Sequence, residues 1–179
     1  MKIDHTELAG VRLLRDVCEE RSQPPQHYAS HSGGALGLRF RQERQQFTRM
    51  AGTVRGLVGQ VPPHAGQTLL RVVAGRIRAV AVDLREGSVT YGRWAAAHLS
   101  AANRRQLLVP PGVLHGFITV VPDSTVLSCS TVPVLHTAVR RVHFADPELD
   151  IDWGIPTSRI LVQPEDAAAP PLPKSELAA

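Results

Sequence analysis

An all-β domain, a sandwich or a barrel, is the fold class this sequence predicts, and three observations predict it. From residue 53 the chain divides into segments of strand length: VRGLVGQ (54–60), TLLRVVA (68–74), RIRAVAVDL (76–84), YGRWAAAHL (91–99), RQLLVP (105–110), HGFITVV (115–121) and STVLSCST (124–131). Turn residues separate them, at PPHAG, Ala74-Gly75, Glu86-Gly87-Ser88, Pro110-Pro111-Gly112 and Pro122-Asp123-Ser124, each supplying a bend or a positive φ that a strand cannot hold. The spacing, roughly ten residues from one segment to the next, is that of a closed or two-layered β structure.

The elements follow in chain order. AGVRLLRDV (9–17) reads as a short strand, and QPPQHYASHSGG (23–34) is a loop by its Pro, Gly and Ser content. GLRFRQERQQFTRM (37–50) fits a strand or a short helix, because its apolar spacing matches neither period cleanly. Several later segments, AVAV (79–82) among them, are apolar on both faces. That pattern suits a strand enclosed within a two-sheet barrel, or a sheet covered by a partner subunit. VRRVHFADPELDIDWG (139–154) reads as a strand, a turn at Asp146-Pro147 and a second short strand. The Ala/Pro-rich stretch from about residue 165 reads as a partly mobile tail.

With 179 residues, 43% of them apolar and 20% charged, the chain predicts a single globular domain over 1–179. It contains no apolar run of the ~20 residues a spanning helix needs, and no secretory h-region follows the initial Met. Cys18 and Cys129 stand alone, outside any CxxC pattern, as expected of reduced thiols in a cytoplasmic protein. The net charge of +4 comes almost wholly from dispersed arginines, and aromatics are 4% of residues. Neither a basic patch nor stacking platforms result, so nucleic acid is not the expected partner. Arginine does favour phosphate and carboxylate, which suits a small phosphorylated ligand.

The central segments VRGL, VVAG, AVDLREGS, TYGRW, LSAANRRQLLVPPG and HGF, followed by HFADPELDIDW (143–153) and PEDAAAP (164–170), resemble the dTDP-4-dehydrorhamnose 3,5-epimerase family over residues 9–172. The resemblance implies a double-stranded β-helix, a cupin or jelly-roll-like barrel with short peripheral helices. It also implies a homodimer, and a cavity that takes dTDP-4-keto-6-deoxysugars without a cofactor. Its reaction inverts a carbon beside a ketone, with a base on one face, an acid on the other and a cation near the enolate.

Against that pattern the proton-handling positions have changed. The family's base histidine corresponds to Val58, its lysine to Thr68 and its acid tyrosine to Ser128. Its late aromatic run corresponds to Val132-Pro133-Val134, which adds Val134 to the degenerate positions. The aspartate that orients the base survives as Asp166. The ligand-holding positions match better, at Arg55 for the diphosphate, at Arg21 for the arginine of the family's DERG motif (followed here by Ser22) and at His115 in the cavity, with Asn103 and Gln106 in an N-x-x-Q match. The family's nucleotide-gripping Q-x-N-x-S corresponds to residues 42–47, with Gln45 as a candidate contact.

These residues predict an isomerase-like protein acting on a dTDP-4-keto-6-deoxysugar other than by standard 3,5-epimerisation. His115, Asp166 and Ser128 are its candidate acid and base groups. Two alternatives stay open at this point. The scaffold could serve as a cyclase, dehydratase or isomerase on a non-sugar natural-product intermediate, or as a catalytically dead ligand-binding or partner subunit. No metal is expected, because the chain has no HxH pair to join His115 in a ligand set. Asp83 and Glu86 read as turn-stabilising residues, and a reactive Cys129 would require an electropositive, exposed setting.

Overall fold

The alternation of buried and exposed positions from Thr53 onward resolves into strands that pass back and forth between two sheets. The computed structural model describes residues 2–15 and 36–173. Six strands make sheet A: β1 (Lys2–His5), β2 (Arg12–Arg15), β3 (Gln42–Thr48), β5 (Thr68–Ala74), β8 (Gln106–Val109) and β10 (Ser124–Ser130). They lie in the order β1-β2-β8-β5-β10-β3. Sheet B holds β4 (Thr53–Gln60), β6 (Arg76–Asp83), β7 (Trp94–Ser100), β9 (Val113–Thr119) and β11 (Val139–Arg141) in the order β11-β4-β9-β6-β7. The short β12 (Leu161–Val162) pairs parallel with β4. This is the cupin-like jelly roll the sequence predicts.

Strand alternation places the core. Val72, Val126, Leu107 and Val109 of sheet A meet Ile77, Ala79, Ala81 and Phe117 of sheet B in the layer between the sheets. The opposite residues of sheet B, Val54, Val80, Val82, Leu114 and Ile118, pack under Val142, Phe144, Leu149, Trp153 and Leu172. The two-faced apolar pattern of AVAV therefore reflects cover by the chain's own C-terminal segment.

That segment corrects two expectations. The alternation in ELDIDW does not form a second short strand; residues 147–150 are a turn. Asp146 accepts from the Glu148 and Leu172 backbone N–H groups, and the Trp153 indole donates to the Phe144 carbonyl. The polar anchors bend the chain, and Leu149 and Trp153 are buried from irregular backbone. The Ala/Pro-rich stretch is likewise no loose tail up to residue 173: α1 (Pro164–Ala167) starts with a proline, and Asp166, Ala169 and Leu172 are buried. At the N-terminal side, GLRFRQERQQFTRM resolves as strand β3, and β1 is an additional edge strand.

Asp83, at the end of β6, anchors the following turn. Its carboxylate accepts from the Arg85 guanidinium, Ser88 Oγ and Thr90 Oγ1, and from the Arg85 backbone. Arg85 also donates to the Ala9 carbonyl, fastening the N-terminal segment to this turn. Burial by itself would raise the Asp83 pKa, but these hydrogen bonds outweigh it and hold the carboxyl well below the usual range.

Candidate active site

Between the sheets the apolar layer gives way to a cavity of about 210 Å³ that continues into a second compartment of about 90 Å³. Glycine controls its wall. A Cβ on Gly56 would stand 2.7 Å from the His115 carbonyl oxygen, and one on Gly116 would stand 2.6 Å from that of Arg55. Glycine at both positions lets β4 and β9 close together across an irregularity between Arg55 and Val58. The irregularity resets the alternation, so Arg55 and Val58, three residues apart, both line the cavity.

The registers then define the walls. On sheet B, Arg141 pairs with Val58 and Val58 with His115, giving a row of three across β11, β4 and β9. On sheet A, one row runs Leu70–Ser128–Arg44 and the next Thr68–Ser130–Gln42, across β5, β10 and β3. Arg141, Val58, His115, Ser128 and Arg44 border both compartments and form the waist between them. Thr68 and Val134 line the larger compartment, and Arg55 and Asp166 the smaller. The structure thus brings together Arg55, Val58, Thr68, His115, Ser128, Val134 and Asp166, which are spread over more than a hundred positions of sequence.

Other candidates lie elsewhere. Gln45 is exposed on the outer face of sheet A, opposite Leu127; Gln42, Arg44 and Gln46 point inward instead. Gln106 is buried on that outer side, paired with Arg71. Asn103 clamps the turn after β7, accepting from the Ser100 and Arg105 backbone and donating to the His98 carbonyl. Arg21 and Cys18 lie outside the described residues. Cys129 faces away from the cavity beside Glu43; burial, then that carboxylate, raises its thiol pKa.

Two cavity groups have unusual electrostatics. The His115 Nδ1 is buried without a hydrogen-bond partner, and desolvation pulls the imidazole down to about 4. The ring is therefore neutral at neutral pH, with a nitrogen lone pair able to accept a proton. Asp166 is held by Arg141, whose Nη1 donates to Oδ1 at 3.2 Å; Glu165 Oε2 is 3.6 Å from Nη2. Burial raises the Asp166 pKa, opposed by the Gly56 backbone N–H, Arg141 and Arg55. Arg55 has a buried Nε with no hydrogen-bond partner.

Sequence reasoning missed Arg44, Arg141 and Glu165. Arg44 was within reach, since alternation through a strand at 42–48 selects 42, 44 and 46 as one face. Arg141 gave no local signal: its position follows from pairing with β4 and from an aspartate 25 residues later. Among the described residues no group of three or more His, Cys, Asp or Glu converges as metal ligands, and no helix is long and apolar enough to cross a membrane.

Fold and cavity together define a cupin-like barrel with a cavity of mixed polar and apolar lining between its sheets. The chain belongs to the dTDP-4-dehydrorhamnose 3,5-epimerase family, whose model matches residues 5–174. The enzyme of that name from Sinorhizobium fredii is 38% identical over 131 residues, 73% of this chain and 67% of that protein. The matches to those of Pseudomonas aeruginosa, at 38% identity, and Neisseria gonorrhoeae, at 40%, cover 62% and 65% of this chain but only 60% and 35% of the relatives.

Solved structures align over nearly the whole length. A 4-keto-6-deoxy sugar epimerase from the novobiocin gene cluster of Streptomyces spheroides superposes with a TM-score of 0.85 at 30% identity, covering 99% of this chain and 90% of that one. The Bacillus anthracis enzyme, solved with TDP and PPi bound, gives 0.83 at 33% identity, with 96% and 99% covered. The Legionella pneumophila enzyme, in complex with dTDP-4-keto-L-rhamnose, gives 0.80 at 28% identity, with 95% and 92% covered.

Proposed function

We propose that the cavity binds a dTDP-4-keto-6-deoxysugar and moves a proton at a carbon beside its ketone, with His115 as the base. The observation that carries this reading is the position of the His115 imidazole, which lines both compartments of the cavity in the register row next to Val58. His115 takes the proton, the C–H electron pair becomes the new C=C bond, and the carbonyl π pair moves onto oxygen. Ser128, on the facing sheet, relays a solvent proton to the opposite face of the same carbon, which inverts it and restores the ketone, and the His115 imidazolium returns its proton to solvent. Arg55 holds the diphosphate. The reaction is isomerase-like and differs from standard 3,5-epimerisation, since Val58 and Thr68 carry no titratable group. Asp166 acts through Arg141 rather than on the sugar.

The matches to enzymes solved with thymidine diphosphate and with a 4-keto sugar nucleotide support the ligand class. A second reading, binding without turnover, draws on the inert Val58, Thr68 and Val134 along the wall. In either case the chain is taken as one domain acting as a cytoplasmic homodimer. Phe47 and Val73, exposed on the outer face of sheet A, support the dimer.

Proton NMR of dTDP-4-keto-6-deoxyglucose with the protein in heavy water tests the proposal. Loss of the carbon-3 or carbon-5 proton signal faster than in buffer, abolished by His115→Asn, is the expected result. Line-broadening without exchange selects the binding-only reading. With neither, the nucleotide-sugar assignment is wrong.

A further inference from the structure

The sequence resemblance implies a cation on β5, where this chain has Thr68, and the positive charge of the cavity stands on other strands. Arg141 enters it from β11, in register with Val58 and one strand further from His115. Arg44 enters from β3 on the facing wall, in register with Ser128. Both border the two compartments at their waist. Arg141 is also oriented. Asp166, almost fully buried, holds its Nη1, while Glu165 Oε2 at 3.6 Å lies beyond hydrogen-bond reach. A guanidinium has five N–H donors in a planar fork. Asp166 engages Nη1 and Glu165 ion-pairs more loosely with Nη2, while a third of the Arg141 side chain stays exposed. With Arg55, three arginines face two carboxylates, so the cavity carries a surplus cation.

We propose that Arg141 and Arg44 form an oxyanion-receiving pole at the waist of the cavity, taking a carboxylate or an enolate oxygen from the part of the ligand held between the sheets. The proposal deepens the functional reading above and rests on it for the ligand's location, but its first test requires no turnover. The positive charge of this pole stands on β11 and β3, and the ligand oxygen it meets is placed accordingly. Asp166 is a positioning residue for this pole.

The first test is calorimetric titration of the full chain with oxalate, whose planar pair of carboxylates matches a guanidinium fork. Saturable binding is expected, with the His115 imidazole signals shifting as oxalate is added. Arg141→Gln should weaken binding about tenfold or more, the scale of a lost charge-assisted pair. Arg76→Gln, which removes an exposed charge elsewhere, should leave it unchanged. Absence of saturable binding, equal binding by Arg141→Gln, or an equal loss in Arg76→Gln overturns the proposal. If Arg141→Gln does not fold, Arg141→Lys replaces it: the charge stays and the fork goes, and undiminished affinity again overturns the pole.

A second comparison separates the two oxygen sources. If the ligand carries a carboxylate, dTDP-glucuronate should bind about tenfold tighter than dTDP-glucose, and Arg141→Gln should erase that preference. If the oxygen is an enolate, the two should bind alike, and Arg141→Gln should slow proton exchange about 100-fold at unchanged affinity for the keto sugar. Finding neither effect overturns the proposal. Oxalate binding in a protein that ignores thymidine diphosphate would break the nucleotide-sugar reading and leave the pole standing.

Discussion

Asp83 and Asp166 are both buried aspartates paired with an arginine, and their surroundings differ in a way that separates structure from site. Around Asp83 every partner is local and the fork is closed: Arg85, Ser88 and Thr90 lie within seven residues, and the pKa is driven down. Around Asp166 the partner comes from strand β11, 25 residues earlier, the pKa is raised, and the neighbouring Arg55 and His115 leave buried nitrogens without partners. The first cluster has spent its hydrogen-bonding capacity on the turn. The second leaves buried nitrogens unpaired in the wall of a cavity.

Three measurements would break or sharpen that contrast. The largest effect belongs to the closed cluster. Asp83→Ala removes the shared acceptor and strands Arg85, and should cost about 3 kcal/mol in urea unfolding while ligand affinity in the folded fraction stays the same. A loss below 1 kcal/mol (on the order of an exposed pair) would remove Asp83 from the structural class.

The next effect is a pH dependence in the open cluster. His115 is held near 4 when folded, against an ordinary value of 6.5. Its contribution to stability is therefore complete above pH 6.5 and is lost as pH falls toward 4, because the unfolded chain binds the proton first. With the ring bordering an open cavity, the loss should be about 2 kcal/mol across that window. His115→Asn should flatten it. Equal slopes in wild type and variant would show the imidazole to be ordinarily solvated. The same shift implies that the exchange rate in heavy water does not halve near pH 6.5.

The smallest effect tests a residue that the family pattern places with the ligand and the fold places in a turn. Asn103→Ala should cost about 1 kcal/mol of stability, the worth of its backbone clamp, and leave thymidine diphosphate affinity unchanged. An affinity loss without destabilisation would return Asn103 to the ligand-contacting group.

Much of this was legible in the chain. Strands between residues 53 and 131 announce themselves because Gly, Pro and Asp punctuate them, and each break corresponds to a turn in the fold. Segment 37–50 was ambiguous because QERQQ has no apolar period, its strand state being set by pairing with β10. ELDIDW misled for the opposite reason: its alternation is real, but Asp146 side-chain bonds hold the backbone in turns beneath it. At the site, the substitutions at Val58, Thr68 and Ser128 could be read directly, and they do line one cavity. The presence of Arg141 and Arg44 beside them could not, since it depends on register between strands far apart in sequence.

The C-terminal cover has a consequence for how the molecule comes into being on the ribosome. Strands β1 to β11 are synthesised before residues 142–172, so the outer side of sheet B, with Val80, Val82 and Ile118, leaves the exit tunnel bare. The nascent barrel must wait for Phe144, Trp153 and Leu172 to close over it, and Asp166 travels on the same piece. The step that shields the greasy back of the sheet thus also delivers the acid that fixes Arg141. A nascent chain stalled before that step has a sticky exterior and an unfinished cavity.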